Sequence, residues 1–167
     1  MLVLILERVN DKPLTLNYLR ELIKSLQGEG HKTQYRGGQY DKYVHPTIGD
    51  QGTGSSYWVL MTRDILPGSR NQRYSDQCKL VADHATRTDL NYELPGALEA
   101  VVVMLLHHAR SSEYLYGDDP LTYTRCRDRD KDGDPVIARS FSSWGLVISC
   151  SCRYGNDYDG VAGLRKF

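Results

Sequence analysis

The stretch Pro95-Gly-Ala-Leu-Glu-Ala-Val-Val-Val-Met-Leu-Leu106 decides the fold. Leu98, Val101, Val102, Leu105 and Leu106 recur at helical spacing and form a wide apolar stripe, while Pro95 stands where a first helical turn tolerates a missing N–H. From Ala100 to Leu106 the run is apolar on every side, so the helix it predicts is the most buried element of the molecule. The same seven residues are the longest uninterrupted apolar run in the chain, well short of the roughly 20 needed to cross a bilayer, and no membrane span is expected.

Upstream, Cys78, Val81, Ala82 and Ala85 fall on one face of a second helix predicted from Tyr74 to Thr86. Before it lie a β-prone run, Tyr57-Trp-Val-Leu-Met-Thr62, and the turn residues Pro67-Gly68-Ser69. Downstream, beyond Gly117-Asp-Asp-Pro120, come short β-prone pieces at Leu121 to Tyr123, Val136 to Phe141, Trp144 to Ile148 and Val161 to Phe167. Helices and short β-prone pieces in this order predict an α+β chain.

The front of the chain reads differently. Met1 to Leu6 is an apolar strand or buried lead-in, and Leu16, Leu19, Leu22, Ile23 and Leu26 predict a helix over 15–27, with Thr15 as N-cap and Gly28 and Gly30 as its stop. Residues 28–56 hold seven of the chain's fifteen glycines and almost no aliphatic residues, which predicts a loop or linker tacked down by Tyr35, Tyr40 and Tyr43. Residues 1–27 are accordingly read as an arm.

The 167 residues carry 21 basic and 21 acidic side chains, so no net field draws the chain to nucleic acid or anionic lipid. The amino terminus lacks a basic start and a small-residue cleavage site, and Cys78, Cys126, Cys150 and Cys152 are too few for a disulfide framework. A cytoplasmic protein with reduced thiols is the expectation. Twelve tyrosines against two tryptophans and two phenylalanines is the one compositional oddity, and it suits contact surfaces better than deep cores.

Two groups of residues resemble metal ligands. Asp128, Asp130, Asp132 and Asp134, with Gly133 in the sixth position, match the first half of a calcium loop. Pro135 and Arg139 occupy its eighth and twelfth positions, so the other reading is a solvated turn between two strands. Cys150 and Cys152 share one side of a strand and offer a soft pair for copper or zinc, against which stands the ordinary role of small buried thiols. No P-loop, G-x-S-x-G elbow or G-x-G-x-x-G is present, and no catalytic residue is assigned.

The carboxy-terminal segment differs in kind. Ser142, Ser143, Trp144, Ser149, Ser151, Arg153, Tyr154, Asn156, Asp157, Tyr158 and Asp159 combine rigid aromatic anchors with adaptable hydrogen-bonding groups, framed by apolar scaffold pieces. That is the chemistry of a ligand-binding surface. An ordinary polar hairpin has the same composition.

The order of pieces resembles the C-type-lectin-like fold in its sulfatase-modifying, formylglycine-generating form. The residues that carry the likeness are Cys78, the run Tyr92-Glu-Leu-Pro95-Gly-Ala-Leu-Glu99-Ala, the turn Tyr116-Gly117-Asp118 and the final Gly163-Leu164-Arg165. Gly96 and Leu98 depart from the family's pattern. Over 57–167 the resemblance implies an α+β domain of two packed helices with a small twisted antiparallel sheet. In variable proteins of diversity-generating retroelements, the resemblance implies a non-catalytic bacterial module that displays residues 140–159 to a protein ligand, with glycan as the second class. The alternative it implies is a copper-dependent thiol oxidase using Cys150 and Cys152, although the enzymes space their cysteine pair more widely.

Overall fold

Alternation along the first strand sets the architecture. In β1, Leu2–Ile5, Val3 and Ile5 are buried and Leu2 is exposed, as expected of a strand with one face on the core. The computed structural model describes residues 1–25, 40–117, 119–142, 145–151 and 153–167, with the side chains of 25 and 140–142 excepted. Two short strands, β2 at Arg8–Val9 and β3 at Lys12–Pro13, follow β1 as a tight hairpin. Its turn residues Asn10 and Asp11 both take positive φ, the conformation a two-residue hairpin needs.

β4, Tyr57–Met61, is the centre of a three-stranded antiparallel sheet, flanked by β1 with Leu4 opposite Trp58 and by β9, Leu164–Lys166, with Leu60 opposite Arg165. The two ends of the chain therefore meet on one strand. Inward-facing Val3, Ile5, Val59, Met61 and Leu164 share a single apolar cluster with helix residues Ala97, Ala100, Val101, Val103 and Met104.

The second sheet has four strands in the order β7-β6-β5-β8. They are β5 at Tyr123–Arg129, β6 at Pro135–Ser142, β7 at Gly145–Cys150 and β8 at Asp159–Gly160, and only the β5–β8 pair is parallel. Cys126, Val136, Ala138, Leu146 and Ile148 join the same core cluster. The chain is thus α+β, its helices and small sheets sharing one main core.

The described part of the front of the chain contributes to that core. Helix α1, Leu16–Ser25, is capped by the Thr15 hydroxyl, which accepts from the Tyr18 amide at 3.0 Å, and it buries Leu16 and Ile23 in the main cluster. A π-helical turn at Tyr40–Val44 runs into α2, His45–Ile48, and Tyr40, Val44 and Ile48 are buried there too. The Tyr40 hydroxyl donates to Asn17 Oδ1 at 2.7 Å, so its polar tip is satisfied on burial. The expectation at Tyr35 lies outside the described residues.

The two long helices are α3, Tyr74–Thr88, and α4, Ala97–Ser111. α4 buries eight of its fifteen residues, but Leu106 is exposed, so the all-round apolar run ends two residues earlier in burial than in sequence. α3 is rotated from the expected face: Tyr74, Gln77 and Val81 point inward, while Ala82 is exposed. A glutamine takes the buried position because other buried polar groups need it, as the next section describes. β5 is longer than its apolar residues suggest, since Arg125, Arg127 and Arg129 alternate with groups that face the core or its polar pockets.

Candidate functional site

The loop from Ser151 to Asp159 joins β7 to β8, and the scaffold holds it by its backbone. The carbonyl of Arg153 accepts from the Tyr74 amide at 3.1 Å, that of Tyr154 from Arg125 at 2.5 Å and that of Asn156 from the Asn71 amide at 3.1 Å. The Asp157 carbonyl accepts from Arg70 at 2.9 Å, and the Tyr158 carbonyl from the Tyr123 amide at 2.9 Å. Gly155 passes so close to Asn71 that a Cβ there would lie 2.6 Å from its carbonyl oxygen.

Beneath the loop is a buried ion pair. Arg125 is fully buried, and one of its terminal nitrogens lies 3.1 Å from Asp159 Oδ2. The same guanidinium donates to the Gln72 carbonyl and Gln77 Oε1, each at 3.0 Å, and to Ser151 Oγ at 3.2 Å. Gln77 in turn donates to the carbonyls of Ser69 at 2.7 Å and Asp159 at 3.0 Å. Ser151 donates to Asp159 Oδ2, which also accepts from Asn156 Nδ2 at 3.0 Å. Buried charges persist only when they are paired and hydrogen-bonded in this way.

The expected binding residues therefore divide. Ser149, Ser151 and Asp159 are buried, and Asn156 bends the loop by accepting from the amides of Tyr158 and Asp159 at 2.7 and 3.2 Å. These four residues build the support. Arg153, Tyr154, Asp157 and Tyr158 project outward, Tyr154 at 71% exposure and Tyr158 at 50%. Ser143 and Trp144 lie outside the described residues, as do Cys152, Asp118 and the side chain of Ser142.

The four aspartates of the expected calcium loop turn to separate partners. Asp128 Oδ2 accepts from the Ala97 amide at 2.5 Å and so caps α4. Asp130 is buried, with Oδ1 accepting from the amides of Asp132 and Asp134 at 2.9 and 2.8 Å. Asp134 pairs with Arg153 Nε at 3.0 Å, and Asp132 lies 4.0 Å from Lys131. The segment is the turn between β5 and β6, closed by its own side chain. Among the described residues no group of three or more His, Cys, Asp or Glu side chains is placed to hold a metal ion. At Cys150, burial first and the adjacent Asp130 second push the thiol up to about 11, away from the thiolate that metal ligation and oxidation chemistry use.

A second polar centre joins the two sheets to α4. Glu99, 2% exposed, accepts from the Tyr57 hydroxyl and the Gly96 amide, each at 2.6 Å, and from Arg127 through both terminal nitrogens at 2.8 and 3.1 Å. Lys166 approaches it at 2.9 Å. Burial alone would raise this carboxyl, but the hydrogen bonds from Arg127 and Tyr57, the Arg127 charge and the Gly96 amide hold it near about 2. A carboxylate so fixed has no proton to give near neutral pH, and it serves as a joint between β4, β5, β9 and α4.

Sequence reasoning missed Arg125, Gln77 and Arg70. Each is a lone polar residue in an element whose period gives no warning, and only their shared target in the loop marks them out. No family model, no curated protein and no solved structure matches this chain.

Proposed function

We propose that the chain is a non-catalytic binding module that presents the loop 151–159 to a protein ligand, on a scaffold of the C-type-lectin-like kind used by variable proteins. The observation that carries this reading is the division of labour within the loop. Its backbone carbonyls are bonded to the scaffold and its inward side chains are buried, while Arg153, Tyr154, Asp157 and Tyr158 face outward. A surface fixed through its main chain tolerates changes in its outward side chains without loss of shape. Ordering costs at binding are already met, and the exposed tyrosines act as rigid anchors. The pairing of β1 and β9 on one central strand, with two long helices beside a second sheet, accords with the same scaffold.

The reading is tested with two displayed libraries of the full chain. One is randomised at 153, 154, 157 and 158, the other at 151, 156 and 159. Most members of the first should remain protease-resistant, and panning on an unrelated protein such as lysozyme should enrich binders. The second should lose folded members severalfold more often. Equal loss of folding in both libraries, or no enrichment from a folded first library, would sink the proposal.

A further inference from the structure

A cleft of about 510 Å³ opens beside the loop, lined by Arg73, Tyr74, Ser75, Cys78, Arg129, Gly133, Arg153 and Tyr154. Three of these side chains are guanidinium groups and none is a carboxylate, in a protein whose net charge is zero. Two of the three are held in place. Arg129 lies over the Tyr74 ring at 4.1 Å, and that ring is buried with its hydroxyl donating to the Cys126 carbonyl at 2.9 Å. Arg153 is braced by Asp134 at 3.0 Å, the one carboxylate paired with the cluster among the described residues. Arg73 has no carboxylate partner among the described residues and precedes the first turn of α3.

We infer that this cleft binds an aryl phosphate, either as a free ester or as a phosphotyrosine side chain. Guanidinium forks match phosphate oxygens two at a time, and pre-oriented arginines lose less freedom when they do so. A dianion balances Arg73 and Arg129, which lack a carboxylate partner among the described residues. A bare phosphate would leave most of the cleft unfilled, whereas a ring can lie against the outer face of Arg129 and beside the exposed Tyr154. The inference deepens the proposed binding role only through Arg153 and Tyr154, since Arg73 and Arg129 belong to the scaffold.

The test titrates phenyl phosphate, inorganic phosphate and a phosphotyrosine-containing pentapeptide into the full chain at fixed ionic strength, read by calorimetry and by amide NMR shifts. Phenyl phosphate should saturate one site, at least tenfold more tightly than inorganic phosphate. Arg129→Gln and Arg73→Gln should each weaken it about tenfold while leaving the melting temperature within a few degrees. Tighter binding of the peptide assigns the ester to a protein partner, and equal binding assigns it to a free ligand. Non-saturating shifts, parity with inorganic phosphate, or indifference to Arg129→Gln in a folded variant would overturn the inference. None of those results touches the library experiment, which reads outward loop positions against an unphosphorylated protein.

Discussion

Arg125 and Glu99 are the two residues on which the polar interior turns, and each makes a distinct prediction. Arg125→Met leaves the Asp159 carboxylate buried without its counter-ion, which should cost about 3–5 kcal/mol and release the loop carbonyl of Tyr154. Denaturant melts of Arg125→Met and of Arg125→Met/Asp159→Asn check it, the double variant recovering part of the loss. Glu99 makes a prediction about pH. Its folded-state value of about 2 lies below its ordinary 4.5, so its favourable contribution is complete above pH 4.5 and is lost as the pH falls toward 2. For a carboxylate this buried the contribution amounts to about 3 kcal/mol, and acid melts of Glu99→Gln should lack that portion of the pH dependence. Neither role was readable in the chain. Glu99 stood out only as part of a resemblance, and Arg125 sat unmarked between Thr124 and Cys126.

At the scale of elements, the loop 151–159 behaves as a clamped segment whose backbone and side chains have separate duties. Gly155→Ala would bring a Cβ to 2.6 Å from the Asn71 carbonyl oxygen, and backbone cannot yield as a side-chain tip can. We expect a loss of about 1–3 kcal/mol, measured by urea unfolding, with Tyr154→Ala within about 0.5 kcal/mol of the parent. Equal losses for the two would contradict the division. The paratope-like composition of this stretch was legible, and so was its framing by strands. Which of its polar residues face outward was not, because serine, asparagine and aspartate serve equally as ligand contacts and as internal braces. The turn at 130–134 has the same ambiguity: its alternating carboxylates suit calcium, and Asp130 Oδ1 also closes the turn on its own backbone.

Across the whole molecule, both chain ends and the segment 40–48 share one core, so unfolding should be a single transition rather than the separate loss of an arm. Tyr40→Ala should lower the stability of the entire chain by about 3–5 kcal/mol, as removal of a buried aromatic residue does. Coincident shifts in circular dichroism and tryptophan fluorescence would check it, and an unchanged melt would return 40–48 to the status of a linker. The glycine-rich composition of 28–56 concealed this packing, since a few buried residues suffice to dock a segment whose average reads as loop.

By itself the sequence determined the buried helix after Pro95, the helix after Arg73, the apolar strands on either side of them and hence an α+β chain, because these depend on local periodicity. Only the tertiary structure decided that β1 and β9 share β4, that Gln77 rather than Ala82 faces inward, and that Arg125 meets Asp159. Those arrangements join residues far apart in the chain. Their energy lies in pairing and desolvation between partners, and no single segment records it.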